Sequence, residues 1–170
     1  ANVFLGIYMM KWDEPSGAWT YITDPNYIMA TDMQGFAVWS QSGMTGNKTV
    51  SFTGNLNTGS KSIATTYTAG APIANDGYNF AGNPYPSSLD WNADEGSGWS
   101  RTAGNIDLSL YIWHQTYGNY GVYVKDGGTG TNDVDNIIPP HQGFFVHCSE
   151  ATGSLGVDNG ARIHGSKEIL

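Results

Sequence analysis

Apolar and polar residues alternate with a period of two along most of the chain, and clusters of glycine, proline, asparagine and aspartate separate the alternating segments. This pattern predicts β-strands joined by turns, because successive side chains of a strand point to opposite faces. No segment has a convincing helical period, so we expect an all-β fold with little helix. The strands predicted outside the hinge described next cover residues 5–12, 18–22, 27–31, 35–39, 49–53, 62–67, 108–113, 120–124, 143–147, 154–157 and 161–164.

The segment 77–91 is a hinge between two parts of the chain. Its apolar run from Tyr78 predicts another strand. Pro84 lacks the backbone N–H that a strand ladder requires, so this strand should end at Gly82 or Asn83.

The parts on either side of the hinge repeat one pattern. An offset of 101 residues relates their hairpins, matching Trp12 with Trp113, Gly17 with Gly118 and Trp19 with Tyr120. An offset of 108 residues matches Gln34-Gly35-Phe36 with Gln142-Gly143-Phe144. Such a repeat indicates an internal duplication, in which each copy needs a partner to cover its apolar face. We therefore predict one antiparallel β-sandwich domain over residues 1–170, jelly-roll-like, with pseudo-symmetric halves at about 1–68 and 77–170.

The first copy has no counterpart of the hinge before its hairpin. We expect that the chain is a fragment of a larger multidomain protein; the alternative is that the first copy never had such a strand. In the first case an edge would be open near residues 34–39 or 49–53, and an open edge favours pairing with another copy.

Composition and charge indicate where the protein acts and which classes of partner are disfavoured. The chain has 23 glycines, ten tyrosines and six tryptophans, a mixture typical of extracellular all-β proteins. Its net charge of −8 argues against nucleic acid and anionic membranes as partners. No apolar run approaches the length of a membrane span, so we expect no membrane insertion. Cys148 is the only cysteine, which excludes an internal disulfide.

Four sequence elements resemble, in their order, a repeat module of large secreted and cell-surface proteins of Bacteroidota, many of which are type IX secretion substrates. These elements are Gly82-Asn-Pro-Tyr-Pro-Ser-Ser-Leu-Asp-Trp91, Tyr111-Ile-Trp113, Pro139-Pro140 with Gln142-Gly-Phe-Phe-Val146, and Ala161-Arg-Ile-His164. The resemblance implies a secreted multidomain protein whose modules accompany adhesive, carbohydrate-binding or hydrolytic domains, and it implies no activity for the module itself. His141 departs from the family, which has a small residue or methionine there, and the chain lacks the family's sorting domain.

Aromatic side chains are the first candidate ligand contacts, because an aromatic face stacks on the C–H groups of a sugar ring. The alternative is core packing and cross-strand pairing, which we expect for Trp12, Trp91 and Trp113. Trp99 and Tyr117 lie in polar loops and are therefore the better candidates for exposure. The candidate ligand-binding residues are Trp99, Tyr117, Tyr120 and Tyr85.

Acidic and amide side chains in the loop 125–136 form a candidate oxygen cage for calcium, through Asp126, Asn132, Asp133 and Asp135. The alternative is that these residues form solvated turns. The segment 90–95 matches a calcium loop less well, because Arg101 stands where a closing glutamate is needed. No cofactor other than calcium is expected.

The histidines and the known catalytic motifs give no indication of an enzyme. His141 and His147 are expected to be structural or surface residues, since no carboxylate is placed to orient an imidazole. No G-x-S-x-G, H-E-x-x-H, phosphate-loop or dinucleotide motif occurs.

The leading hypothesis is a non-catalytic β-sandwich module of a secreted or cell-surface protein, acting in adhesion or as a structural spacer. The second is a carbohydrate-binding module that tethers a polysaccharide hydrolase, and a hydrolase is the least supported. The expected partners are a polysaccharide or neighbouring domains of the same protein.

Overall fold

The computed structural model describes residues 7–40, 45, 54–70, 76–101 and 105–165. Within them the chain is all-β, as predicted, and the only helical turns are short 3-10 turns at Glu14–Ser16 and Asn159–Ala161. The strands are β1 Ile7–Asp13, β2 Ala18–Tyr21, β3 Ala37–Ser40, β4 Lys61–Thr66, β5 Tyr78–Gly82, β6 Ser88–Asp90, β7 Trp99–Ser100, β8 Ile106–His114, β9 Asn119–Val124, β10 Ile137–Ile138, β11 Gly143–Cys148, β12 Thr152–Val157 and β13 Arg162–Ile163.

Two predicted strands are not confirmed by the structure. The strand expected at 49–53 lies outside the described residues. Residues 27–31 are not a strand. The chain turns just before them, where the Tyr27 N–H donates to the Asp24 carbonyl at 3.2 Å, and the Ala30 N–H donates to the Gln34 side chain at 2.9 Å.

The strands form a sandwich of antiparallel sheets. The central sheet has the order β5-β11-β8-β9, and the N-terminal sheet has the order β2-β1-β3. Two further sheets have the orders β4-β12-β7 and β10-β6-β13. Among the described residues no helix is long and apolar enough to cross a membrane.

Both faces of the central sheet are covered, and β11 shows how. Phe144 and Val146 lie in the main core with Trp91, Trp99 and the other buried residues. Phe145 points to the opposite face, where its ring centroid lies 5.0 Å from that of Trp12 in the N-terminal sheet. The central sheet is therefore the middle layer of the molecule.

The two hairpins related by the sequence repeat have the same register. Trp12 faces Trp19 across β1 and β2, and Trp113 faces Tyr120 across β8 and β9. Both pairs pack edge to face, with ring centroids 5.4 and 5.1 Å apart. The offset of 101 residues thus relates equivalent positions of two similar hairpins.

The turns of these hairpins are also equivalent. Gly17 and Gly118 each have a φ of 58°, a left-handed conformation that glycine adopts without steric cost. The N–H of each glycine donates to the carbonyl three residues earlier, at 2.9 Å to Glu14 and 3.3 Å to Gln115.

The third strand of each copy follows the second offset. Met10 pairs with Ala37 in the N-terminal sheet, and Tyr111 pairs with Phe145 in the central sheet. Ala37 and Phe145 are 108 residues apart, as the Gln-Gly-Phe repeat requires. The strand order β2-β1-β3 therefore corresponds to β9-β8-β11, so the internal duplication extends from sequence to strand pairing.

The two copies pack against each other through aromatic rings. Trp19 lies 4.9 Å from Phe80 and 5.8 Å from Phe145, measured between ring centroids. Phe80 in turn contacts both glycines of the Gln-Gly-Phe repeat, because a Cβ added at Gly35 or Gly143 would lie 2.6 or 2.4 Å from its ring. The glycines of the repeat thus allow both copies to approach one ring.

The copies differ in burial and at their edges. Phe144 is fully buried, whereas its counterpart Phe36 is half-buried. Gln34 was expected at an open edge, but its backbone is paired, because it forms an antiparallel bridge with Ala81 of β5. Strand β5 ends at Gly82, as the following proline predicts.

Candidate functional site

Two of the four aromatic ligand candidates belong to the core, so the prediction that they contact a ligand is wrong in this structure. Trp99 is only 1% exposed, and its indole N–H donates to the Asp90 carbonyl at 2.8 Å. Tyr85 is fully buried, and its hydroxyl donates to the Gly59 carbonyl at 2.6 Å. Both side chains stabilise the fold and offer no face to a sugar.

Trp99 is buried together with Arg101, an arginine that the sequence did not predict to be a core residue. The Arg101 guanidinium is buried and lies 4.3 Å from the ring centroid of Trp91 and 5.2 Å from that of Trp99. Its Nη1 donates to Glu95 Oε1 at 2.7 Å. Burial lowers the pKa of Arg101, and Glu95 opposes that shift. The polar segment 92–101 thus folds around the buried Arg101 guanidinium, which lies against two tryptophans and pairs with the exposed Glu95.

Tyr120 also has a packing role. It is half-buried, and its ring lies 5.1 Å from Trp113 and 5.8 Å from Phe145. Burial raises the pKa of its phenol. Tyr120 therefore belongs to the aromatic layer between the two sheets.

Tyr117 is the one candidate of the four that is exposed, as predicted. It lies in the turn between β8 and β9 and is 51% exposed. Its hydroxyl donates to Asp133 Oδ2 at 2.7 Å, and this hydrogen bond raises the pKa of the phenol. The bond holds the ring against the loop 125–136.

A cleft of about 440 Å³ lies beside Tyr117. The Tyr117 ring and the segment 128–130 line it, together with Asn132, Asp133 and Asp135. Asn132 and Asp133 have φ values of 50° and 59°, a conformation that asparagine and aspartate tolerate better than most residues. The structure thus brings one predicted aromatic contact together with three of the four predicted calcium ligands.

Asp126 stands apart from the other calcium candidates. Its carboxylate accepts from Lys125 Nζ at 2.7 Å, and its backbone N–H donates to Asn92 Oδ1 at 2.9 Å. In the described part of the chain, no group of three or more His, Cys, Asp or Glu side chains is placed to hold a metal ion. The four predicted calcium ligands are therefore not assembled into one site.

A carboxylate does orient the imidazole of His147, so the expectation that none is placed to do so is wrong. Its Nδ1 lies 2.8 Å from Asp107 Oδ2 on the neighbouring strand β8, which is distant in sequence. Its ring packs 5.1 Å from the ring of Tyr78. The neighbouring Cys148 is buried and accepts a hydrogen bond from the Asn79 side chain at 3.3 Å. These contacts fix both residues in the central sheet.

No known family model, curated protein or solved structure matches this chain. The resemblance to Bacteroidota modules thus stays a prediction from the sequence. The chemistry of the cleft is the remaining guide to function at this site: one aromatic face, two carboxylates and one amide around an open space.

Proposed function

We propose that the chain is a non-catalytic binding module of a secreted or cell-surface protein, acting in adhesion by holding a carbohydrate in the cleft beside Tyr117. The observation that carries this proposal is the exposed Tyr117 ring, held by Asp133 at the border of a polar cleft. Sugars present apolar C–H faces and polar rims, so they require both an aromatic face and hydrogen-bonding groups.

The charge and size of the cleft favour a neutral or cationic saccharide. Asp133 and Asp135 place negative charge at its wall, and the whole chain carries a net charge of −8. Carboxylates accept hydrogen bonds from sugar hydroxyls but repel anionic ligands. A volume of about 440 Å³ falls at the lower end of typical ligand sites and suits a short saccharide.

The carboxylates of the cleft are engaged in the loop's own hydrogen bonds, which favours binding over catalysis. Asp133 accepts from Tyr117, and Asp135 Oδ1 accepts from the Ile137 N–H at 2.7 Å. A catalytic acid or base must instead reach the proton that it transfers. These carboxylates position the loop and the aromatic ring.

A structural spacer between neighbouring domains is the second candidate. It is favoured by the rings that the two copies share: Trp12 and Trp19 pack on Phe145, so most aromatic side chains serve a rigid core. In that case the partners are adjacent domains of the same secreted protein, and the cleft is a surface feature of the loop.

Replacing Tyr117 with alanine is expected to weaken saccharide binding by at least about tenfold, because the stacking face is lost. The Tyr117→Phe variant keeps the face but loses the bond to Asp133, so we expect a smaller loss, of roughly threefold. The measurement is a screen of neutral and charged oligosaccharides followed by calorimetric titration of the best ligand.

Trp113→Ala is the matched control, since Trp113 is 45% exposed and does not line the cleft. It should bind like the native chain. If no oligosaccharide binds the native chain, or if Tyr117→Ala binds as well as it does, the carbohydrate proposal fails and the spacer role is favoured.

A further inference from the structure

Three aromatic side chains lie side by side on the outer half of the N-terminal sheet, and we call them the aromatic row: Tyr8 on β1, Tyr21 on β2 and Trp39 on β3. Tyr8 is the direct partner of Trp39 in the β1–β3 ladder. The rings of Tyr8 and Tyr21 lie 5.8 Å apart between centroids and meet edge to face, with their planes at 67°. Trp39 is 67% exposed and Tyr21 is 58% exposed.

The row shares a sheet face with the half-buried pair Trp12 and Trp19 but lies outside the contact between the copies. Residues 8, 10 and 12 of β1 point to one face, and Tyr21 and Trp19 are paired with Met10 and Trp12 on it. Trp12 and Trp19 contact Phe145 of the central sheet. One half of the face is therefore covered by the second copy, and the row remains accessible.

Because the two copies have the same strand pairing, comparing their equivalent positions shows which aromatic residues the fold requires. At the hairpin pair both copies have aromatic rings, Trp12 with Trp19 and Trp113 with Tyr120. At the positions of the row, the same two offsets lead to Ser109, Val122 and His147, in place of Tyr8, Tyr21 and Trp39. The fold therefore forms in the second copy without a tyrosine or tryptophan at any of these three positions.

The strand neighbours of the row are uncharged among the residues that the structure describes. Met10 and Ala37, which pair with each other beside it, are apolar. Lys11 belongs to the opposite face of β1, where its ammonium lies 5.7 Å from the centroid of the Tyr27 ring. A ligand that covers the row meets aromatic and apolar groups on a protein of net charge −8, so a polyanion is disfavoured.

We infer that the aromatic row binds an extended, neutral polysaccharide. Adjacent strands lie about 4.8 Å apart, and Tyr21 is offset by two residues from the position opposite Tyr8. The row therefore runs obliquely across three strands over about 12 Å and matches successive sugar units of one chain. A row of this kind is open at both ends and suits the interior of a polymer, whereas the cleft beside Tyr117 suits a short saccharide. The inference stands on the row alone and does not depend on the cleft.

The test replaces the row with the residues of the second copy, in a Tyr8→Ser, Tyr21→Val, Trp39→His variant. The assay is native gel electrophoresis in gels that contain hydroxyethyl cellulose, xylan or galactomannan. We expect at least one of these polymers to retard the native chain, and the triple variant to need at least about tenfold more polymer for equal retardation. Trp113→Ala is the matched exposed tryptophan of the second copy, and it should behave as the native chain.

Far-UV circular dichroism and thermal melting establish whether the triple variant is folded. If it is not, Trp39→His alone replaces the most exposed ring and should still need at least roughly threefold more polymer. Retardation of the folded variant equal to that of the native chain overturns the inference, and so does a native chain that no polymer retards.

Two other results would also contradict the inference. If Tyr117→Ala abolishes retardation and the triple variant does not, the polymer is held at the cleft. If sedimentation shows a native dimer and a monomeric triple variant, the row is an interface between copies. Binding of short oligosaccharides, measured in parallel, reports on the cleft separately, so failure at one site is distinguishable from failure at the other.

Discussion

Replacing Arg101 with alanine is expected to lower the free energy of unfolding by about 3–4 kcal/mol, because a fully packed side chain that lies against two indoles is removed. Arg101 is 2% exposed, and its guanidinium lies over the rings of Trp91 and Trp99. It also donates to the Trp91 carbonyl and to Glu95. The substitution leaves a cavity and an unpaired buried carbonyl. Denaturation by urea, followed by circular dichroism, measures the loss.

Arg162→Ala is the matched control for Arg101. Arg162 also lies over an aromatic ring, 5.1 Å from the centroid of Tyr85, but it is only half-buried. Removal of the same charge should therefore cost only about 1 kcal/mol. Equal losses for the two variants would mean that the buried Arg101, which packs against Trp91 and Trp99, does not organise the segment 92–101.

Glu14→Ala is the second substitution with a large expected effect, about 3 kcal/mol at pH 7. The Glu14 carboxylate is buried in the first hairpin turn and joins that turn to the end of β4, to Thr68 after it and to Gly77 at the start of the hinge. Its Oε1 accepts from the N–H groups of Thr68 at 2.9 Å and Gly77 at 3.0 Å, and its Oε2 accepts from the hydroxyls of Thr66 at 3.0 Å and Thr68 at 2.8 Å. Alanine leaves these donors without their acceptor.

The pH dependence of this effect has a definite sign. Burial alone would raise the pKa of Glu14, but the hydrogen bonds from Gly77, Thr68 and Thr66 outweigh it and lower the pKa below 4.5. A depressed pKa in the folded state stabilises the protein above the unfolded value, and this contribution disappears as the pH falls through the folded value. Glu14→Gln keeps the shape and should cost about 1 kcal/mol at pH 7, with a gap to the native chain that closes below pH 4.5.

The equivalent turn of the second copy provides the control for Glu14. Gln115 has the position of Glu14 in the turn before Gly118 but is exposed. Gln115→Ala should change the free energy of unfolding by less than about 0.5 kcal/mol. A difference in stability between the native chain and the Glu14→Gln variant that stays constant as the pH falls from neutral to well below 4.5 would contradict the assignment of the charged carboxylate to these bonds.

The duplication could be predicted from the sequence because its signals are local. The spacing of Trp12 and Trp19, with Gly17 between them, indicates a hairpin whose turn and cross-strand pair lie within a few residues. Alternation then gives the face of each side chain. Since the two offsets preserve both features, they also predict the pairing of the third strand, which brings Ala37 and Phe145 to equivalent positions.

The burial of Trp99 could not be predicted because it depends on contacts distant in sequence. Trp99 pairs with Val157 of β12, and the segment around it is polar because it contains the Arg101 and Glu95 ion pair. Arg101 did leave one signal, since it occupied the position of a closing glutamate in the weak calcium pattern. An isolated arginine among tryptophans is compatible with a buried cation between rings.

The aromatic row was not predicted from the sequence for a different reason. Tyr8 and Trp39 lie in well-predicted strands, where an aromatic residue is expected to pack in the core. Comparison of the two copies position by position would have separated rings that both copies share from rings that only the first has. The two offsets define that comparison, because Tyr8 and Tyr21 lie in the hairpin and Trp39 lies in the Gln-Gly-Phe strand. The exposure of the row could not be predicted, since it depends on how much of the sheet the second copy covers.

The central claim is that the tryptophans of this chain divide into structural rings and two exposed rings, Trp39 on the aromatic row and Trp113 on β8. Hydrogen exchange of the indole N–H groups, followed by NMR, tests it most directly. The indole N–H groups of Trp12, Trp91 and Trp99 donate to the carbonyls of Tyr78, Leu108 and Asp90, so these three should exchange slowly. Trp39 should exchange at the rate of a solvent-exposed indole. Protection of Trp39 equal to that of Trp91, or unprotected exchange at Trp99, would contradict the account.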